Sequence, residues 1–380
     1  PVLGLWSRAM RTPSNLLPEG FHDALPPYAE AASRLERDVL DTLASHGYAR
    51  VSPPLAEYED GLTERMQGAS RSDLMRFVDP ISQRTLALRP DMTMQIGRIA
   101  KTSLADRPRP LRLSYSGQVL KLRSGQLQPE RSRLQIGAEL IGNDSVIAAS
   151  EIVSIAIEAL ERAGVSGITV DFTLPDLIDI LAAGPLPLNE AQIGEVRGEL
   201  DMKDAGGLSA MGATGYLPLI EATGPFDEAM ARLREFDTGG LLNSRLDGVS
   251  QIAASIKGKA SLTLDPTERH GFEYQNWFGF TLYAESFVGA LGRGGSYEIV
   301  RPNGESEAAV GFSLYPNPLI DAGFGAKISD QIFLPLGHDQ SAAARLRAAG
   351  WRTVAALSDK DQAKALGCSH ILNGDQPEPL

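Results

Sequence analysis

Cysteine is almost absent from this chain. Cys368 stands alone among 380 residues, which excludes an internal disulfide framework and any metal centre built on several thiolates. Histidine is nearly as scarce. His22, His46, His270, His338 and His370 are scattered, and none stands at the spacing of paired metal ligands. Long apolar runs are missing too. Leu3 to Met10 is short and only mildly apolar, far below a membrane span and without a signal peptide's layout, so no membrane association and a cytoplasmic location are expected. Positive charge is in deficit, with 36 Lys and Arg against 48 Asp and Glu for a net charge of −12. That balance argues against broad binding to nucleic acid or an anionic membrane. No Ser-His-Asp or Cys-His arrangement can be assembled with any specificity.

What is present suits a globular protein. The length fits two or three domains, and 43% hydrophobic with 22% charged residues is ordinary. Residues 1–16 read as a leader. Tyr28, Ala32, Leu35, Val39 and Leu43 recur at helical spacing, with Gly47 placed to end that helix. A short strand then runs into Pro53-Pro54, which an interior strand does not tolerate, so this element belongs at an edge or an interface. Two strand-like pieces flank a polar turn between Phe77 and Leu88. LRPDMT follows as a loop entering a helix, with Asp91 as its capping residue. Asn143-Asp144 is expected to cap a long helix ending at Ala163, and ITVDFTL reads as a strand. Residues 175–262 read as a helical insertion. Strands return from Phe272 to Ala284 and at AAVGFSLY, and a small α/β domain follows, with helices at Gln340–Ala349 and Asp361–Leu366.

Two stretches carry chemistry. Gly292-Arg293-Gly294-Gly295 would suit either a backbone cradle for phosphate or a hairpin turn, but no helix with a Lys or Ser/Thr signature follows, so it is not a P-loop. Lys121 to Gly142, KLRSGQLQPERSRLQIGAELIG, has a basic, broken first half and an apolar second half. In the latter, Gln135 and Glu139 share one face of a central strand. Glu139 is then either a salt-bridged core residue or the floor of a pocket awaiting a cationic or N–H-bearing ligand. Arg98 to Arg133 is locally basic, as a solvated face, an anion site or a charged interface would be.

The order of these pieces brings in a family. The first helix and Pro-Pro strand, LALRPDMT, QIGAELIG, HGFEYQNWFGF, GRGGSYE and AAVGF together resemble the catalytic core of histidyl-tRNA synthetase, from about Leu17 to Ile320. The resemblance implies an α+β fold: a class II aminoacyl-tRNA synthetase-like antiparallel sheet flanked by helices, with a helical insertion and a small C-terminal α/β domain. It divides the chain into a core over 17–174 and 263–325, the insertion over 175–262, and a truncated anticodon-domain-like unit over 326–380. Pro54 matches a proline that lies at the dimer interface of class II enzymes.

Departures from that pattern bear on function. Lys121 stands where the synthetases place an arginine for the ATP α-phosphate and the amino-acid carboxylate, and lysine lacks the bidentate fork. Pro318 replaces the motif 3 arginine, Asn317 the preceding glutamate, and His270 a histidine-specific arginine. Losing one preorganised donor costs roughly 10²–10³ in rate, so adenylation is not expected. The amino-acid side is better kept: Asp91, Thr93, Gln135, Glu139 and Tyr274 match family pocket residues. A synthetase core so altered resembles the regulatory subunit of ATP phosphoribosyltransferase. The resemblance implies a chain without catalysis or cofactor, which activates a short-form catalytic subunit in the first step of histidine biosynthesis. It further implies a homodimer within a hetero-octamer, feedback by histidine, and no tRNA role. A divergent histidyl-tRNA synthetase, or another synthetase-like amino-acid-binding paralogue, is the alternative.

Overall fold

The computed structural model of the protein describes residues 17–63, 74–122, 130–268, 275–300, 304–326 and 330–380. The chain divides into two compact units, Pro1–Gly325 and Ala326–Leu380.

In the first unit, helix α1 (Tyr28–Ser45) buries Leu35, Val39 and Leu43 at the spacing expected. Gly47 ends it in a left-handed conformation, φ +82°, which only glycine adopts freely. Strand β1 (Ala49–Arg50), β2 (Ala56–Tyr58), helix α2 (Glu59–Thr63), β3 (Arg76–Val78) and β4 (Thr85–Leu88) come next, then helix α3 (Thr93–Lys101). Strands β5 (Leu111–Leu120) and β6 (Ser132–Ile141) pair over their whole length. Helix α4 (Val146–Arg162) and β7 (Ile168–Thr173) lead into a helical stretch. It comprises α5 (Leu177–Ala182), α6 (Glu190–Asp201), α7 (Ala205–Ala210), α8 (Leu217–Glu221), strand β8 (Gly224–Pro225), α9 (Phe226–Phe236) and α10 (Asn243–Ser255). Strands β9 (Ser261–Leu264), β10 (Gln275–Ala284), β11 (Gly292–Val300) and β12 (Ser306–Leu314), with helix α11 (Asn317–Asp321), complete this unit.

One nine-stranded sheet runs β1-β5-β6-β12-β11-β10-β7-β9-β8. It is antiparallel throughout except at β1–β5 and β7–β9. The strand ahead of Pro53-Pro54 is indeed an edge, and Pro225 sits on the opposite edge, where a missing N–H is harmless. A small sheet, β2-β4-β3, stands apart, and its β3 and β4 are the two pieces expected around a polar turn.

The period of two along each strand sorts the large sheet into two faces. Ile136, Ala138 and Leu140 of β6 face α1 and α4, in a core with Leu35, Val39, Ile152, Ala156, Phe278, Phe280 and Phe312. Their neighbours Gln135, Gly137 and Glu139 face the other way. A smaller cluster, containing Met92 and Ile96 from α3 and its entry together with Tyr115, Ile141 and Tyr297, covers part of that second face.

The second unit holds β13 (Gln331–Leu334), helix α12 (Gln340–Ala348), β14 (Arg352–Ala355), β15 (His370–Asn373) and β16 (Gln376–Pro379) in the order β14-β13-β15-β16.

Three local expectations give way. The glycine-rich stretch at 292 is the body of β11, not a turn. Its glycines are needed for packing, since a Cβ on Gly294 would lie 2.5 Å from the Phe280 ring. Ser145, not Asn143-Asp144, caps α4 by accepting the Ala148 N–H at 3.4 Å; Asn143 turns the chain by accepting the Ser145 N–H, and Asp144 takes the Trp277 indole N–H. Asp361–Leu366 forms turns, because the Asp361 carboxylate captures the Leu357 and Ser358 N–H groups, an arrangement that competes with a helix.

Candidate functional site

Four of the sequence-derived residues meet on the second face of the sheet. The LRPDMT loop carries Asp91 and Thr93 to β6. The first helical residue is Thr93, so Asp91 lies one position before the N-cap, Met92, and still accepts the Thr93 N–H at 2.7 Å. Arg89 anchors the loop from behind. Its guanidinium donates to the carbonyls of Gln118 (2.8 Å) and Pro53 (2.9 Å). Gln95 donates to the Pro54 carbonyl at 2.8 Å, so the Pro-Pro edge and the pocket loop share one scaffold.

Gln135 and Glu139 are 0% and 1% exposed, on the same face as expected. The Gln135 amide is oriented by the Met92 N–H, which donates to its Oε1 at 2.9 Å. Its Nε2 therefore gives both hydrogens away, to Asp91 Oδ2 and to Ser313 Oγ, each at 2.8 Å. Ser313 accepts there, which leaves its own hydrogen for the Tyr115 oxygen 3.0 Å away. Tyr115 in turn donates to Glu139 Oε1 at 2.9 Å, and Tyr297 donates to Oε2 at 2.8 Å. Thr93 Oγ1 lies 3.2 Å from the Tyr115 hydroxyl. One continuous hydrogen-bond path thus joins Asp91 to Glu139.

Two buried carboxylates in one network repel ionisation. Burial pushes the Glu139 carboxyl up to about 8, with Asp91 adding to the effect and the two tyrosine hydroxyls opposing it. Burial also raises Asp91, against the pull of Thr93, Gln135 and the Lys121 charge. No lysine or arginine forms an ion pair with Glu139 among the described residues, so the salt-bridged core reading fails. The carboxylate is close-packed from the side: a Cβ on Gly311 would lie 1.7 Å from its Oε2, and one on Gly137 would lie 2.4 Å from the Tyr115 hydroxyl.

A cleft opens over this floor between Thr93, Glu139, Gln275, Arg293, Tyr297 and Ser313. It holds about 230 Å³ of space, its open mouth included. A broader groove of about 900 Å³, its open mouth included, runs over Leu74, Phe77, Val78, Thr85 and Leu122, but among the described residues no comparable convergence of polar groups lines it. The small cleft is where the chemistry converges.

The remaining sequence-derived positions fall as follows. Lys121 follows β5 and is exposed as a residue, although desolvation of its ammonium, followed by Arg133, lowers its pKa. Pro318 lies in the first turn of α11, where it presents neither charge nor donor, and Asn317 accepts the Leu134 N–H at 3.1 Å. His270 and Tyr274 lie outside the described residues. Tyr115, Tyr297, Ser313 and Gln275 belong to the site and were not singled out from sequence, and Arg293 was named only as part of the glycine-rich stretch. Tyr297 had a signal, because it alternates with Gly295 within the GRGGSYE motif. Tyr115, flanked by two serines in an ordinary strand, had none. No group of His, Cys, Asp and Glu among the described residues is arranged to hold a metal ion, and no described helix is long and apolar enough to cross a membrane.

Comparison with known proteins places this geometry. Residues 20–319 match the histidyl-tRNA synthetase family model. The ATP phosphoribosyltransferase regulatory subunit of Rhodospirillum centenum is 40% identical over 375 residues, 96% of each chain. That of Paramagnetospirillum magneticum is 39% identical, covering 95% of this chain and 96% of its own. Among solved structures, an ATP phosphoribosyltransferase regulatory subunit/histidyl-tRNA synthetase from Bacillus halodurans C superposes with a TM-score of 0.80 at 23% identity, over 94% of this chain and 97% of the other. Histidyl-tRNA synthetase from Nostoc sp. PCC 7120 gives 0.76 at 15% identity, over 95% and 91%. These last two establish the class II synthetase-like fold alone. With relatives this similar along nearly its whole length, the chain belongs to the ATP phosphoribosyltransferase regulatory subunit family, built on the histidyl-tRNA synthetase fold.

Proposed function

We propose that this chain is the non-catalytic regulatory subunit of an ATP phosphoribosyltransferase, partnered by a short-form catalytic subunit, and that its cleft binds histidine as the feedback effector. The observation that carries this reading is the pair of buried carboxylates, Asp91 and Glu139, joined by one hydrogen-bond network, with no ion pair to either from a lysine or arginine among the described residues. Such a floor accepts hydrogen bonds from an ammonium and an imidazole. The positions that would grip ATP in a synthetase hold Lys121 and Pro318, and the latter offers nothing to a phosphate. The missing donor at Pro318 and the absent bidentate fork at Lys121 favour regulation over adenylation.

The proposed assembly is a homodimer within a hetero-octamer, in the cytoplasm, without a role for tRNA, membrane or cofactor. The catalytic partner carries the glycosyltransferase chemistry. Partner binding favours an active arrangement and histidine a less active one, which requires histidine to bind the two with different affinities. The residues of the pocket are Asp91, Thr93, Gln135 and Glu139, with His270 and Tyr274 as further members.

Activity of the short catalytic subunit, titrated with histidine in the presence and absence of this chain, tests the reading. Activation and histidine sensitivity should both depend on the chain. Equal activity and equal inhibition without it would overturn the proposal, and histidine-dependent pyrophosphate exchange by the chain alone would replace it with a synthetase. A charge-assisted hydrogen bond contributes about 1.5–3 kcal/mol, so Glu139→Gln should weaken histidine binding by roughly one to two orders of magnitude in calorimetry.

A further inference from the structure

Away from the cleft, the far end of the sheet gathers a second group of acids. Ile168, Val170 and Phe172 of β7 belong to the helix-facing core, so Asp171, between them, points to the other side. It stands in register with Thr263 of β9 and Thr281 of β10, and the Thr263 hydroxyl donates to its Oδ1. Beyond β9 the chain turns back along β7. The Asp265 N–H donates to the Phe172 carbonyl at 2.9 Å, and the Thr173 hydroxyl donates to the Glu268 carbonyl at 2.7 Å. This path brings the Glu268 carboxyl within hydrogen-bond reach of Asp171.

The helical insertion is fastened to the same stretch, residues 265–268. Lys203, just after α6, has a left-handed backbone, φ +56°, which a residue with a Cβ holds only where its surroundings fix it. Its ammonium donates to Asp265 Oδ1 at 2.6 Å and to Thr267 Oγ1 at 2.9 Å. Among the described residues, no lysine or arginine forms an ion pair with Asp171 or Glu268. Tyr283 of β10 closes the cluster. Burial and then Glu268 push its hydroxyl up to about 12, with Arg293 of β11 opposing, so it stays protonated. Two carboxyls this close, partly desolvated and without a cation, resist ionising together. Burial, with Glu268 and Asp265 adding and the Thr263 hydroxyl opposing, pushes Asp171 up to about 7.

We propose that Asp171 and Glu268 share one proton, and that this proton is a pH-sensitive latch holding residues 265–268, and through Lys203 the insertion, against the sheet. With the proton in place, Asp171 donates to Glu268. When it leaves for solvent, two carboxylates face each other and the stretch opens more readily. The folded value lies above the ordinary 3.8, so the latch contributes fully below about pH 4 and its contribution is lost as pH rises to about 7.

Hydrogen exchange of the full chain between pH 5 and 8.5, corrected for the intrinsic exchange rate, tests this. Protection of peptides covering β9 and Lys203 should fall by up to about tenfold per pH unit to pH 7 and level off above it. Asp171→Asn offers Glu268 a permanent N–H while still accepting from Thr263, so its protection should stay flat across the range. Glu268→Gln should do the same, and serves as the second variant if Asp171→Asn does not fold. Peptides from β6, which report on Glu139, are the reference and should keep their own pH response in both variants. Protection of β9 that does not change between pH 5 and 7 in the unaltered chain would overturn the proposal. So would a slope that survives both substitutions, or one that they remove from β6 as well, since that would assign the effect to unfolding of the whole chain.

Discussion

The two faces of the nine-stranded sheet differ in what they ask of a side chain, although they alternate residue by residue along the same strands. On the helix-facing side, Ile136, Ala138 and Leu140 contribute apolar volume to a large core. One residue away, Gln135, Gly137 and Glu139 contribute donors, acceptors and empty space at fixed points. The first face responds to volume, because interiors are close-packed and the loss is roughly that of the buried atoms. The second responds to position, because its polar groups are spoken for in sequence from Asp91 to Glu139. Damage to one should appear as stability, and damage to the other as binding.

Four substitutions or titrations test that division, in decreasing order of effect. Phe280→Ala on the helix-facing side removes a fully buried ring that stacks on Phe278 at 5.6 Å. It should cost about 3–5 kcal/mol of unfolding free energy in denaturant titrations, with histidine affinity unchanged in the protein that remains folded. Gly311→Ala on the pocket-facing side places a methyl on the Glu139 carboxylate and 2.6 Å from the Ala138 carbonyl. Displacing that carboxylate should weaken histidine binding at least about a hundredfold, beyond the one charge-assisted bond it loses directly. Comparable losses of affinity from both variants would remove the distinction.

The pH dependence is smaller per pH unit, and it has a definite sign. Glu139 sits near 8 in the folded chain against an ordinary 4.5. Its contribution to stability is therefore complete below pH 4.5, declines as pH rises, and is lost by about pH 8, at roughly 1 kcal/mol per pH unit. Asp91, also raised, acts in the same sense. Urea titrations between pH 5 and 8.5 should show this slope, and Glu139→Gln should flatten it. A slope unaffected by that substitution would assign the effect elsewhere. Smallest of all is Gly194→Ala in α6, where a Cβ meets nothing within 4 Å. It should add about 0.5–1 kcal/mol to stability, the usual penalty of glycine in a helix. The same change that ruins the site at Gly311 improves the molecule here.

The division also explains what was legible in the sequence. Elements with a clean period were readable: α1 from Tyr28 to Leu43, the edge strand before Pro53-Pro54, and the shared face of Gln135 and Glu139. The glycine-rich β11 was not, since glycine signals both a turn and a place where a neighbouring ring must lie against the backbone. Only the partner strand, which carries Phe280, distinguishes these. Asp361 misled in a similar way, because nothing in a helical spacing announces that its carboxylate will bind the backbone just before it. Within the site, ordered motifs identified Asp91, Thr93, Gln135 and Glu139. The choice between salt bridge and pocket floor depended on Tyr115 and Tyr297, which reach Glu139 from strands 24 and 158 residues away in the chain.

The upward shift of Glu139 fixes a concentration scale. A carboxyl with a pKa of about 8 is ionised in roughly one molecule in ten at pH 7, so a cation that needs the carboxylate binds about tenfold more weakly than it would to a permanently charged floor. Each further step of burial would move half-saturation upward by the same logic, with no change in any contact to the ligand. For the cationic ligand proposed above, deeper burial of Glu139 would therefore weaken binding, and the two tyrosine hydroxyls that pull its pKa back down would strengthen it.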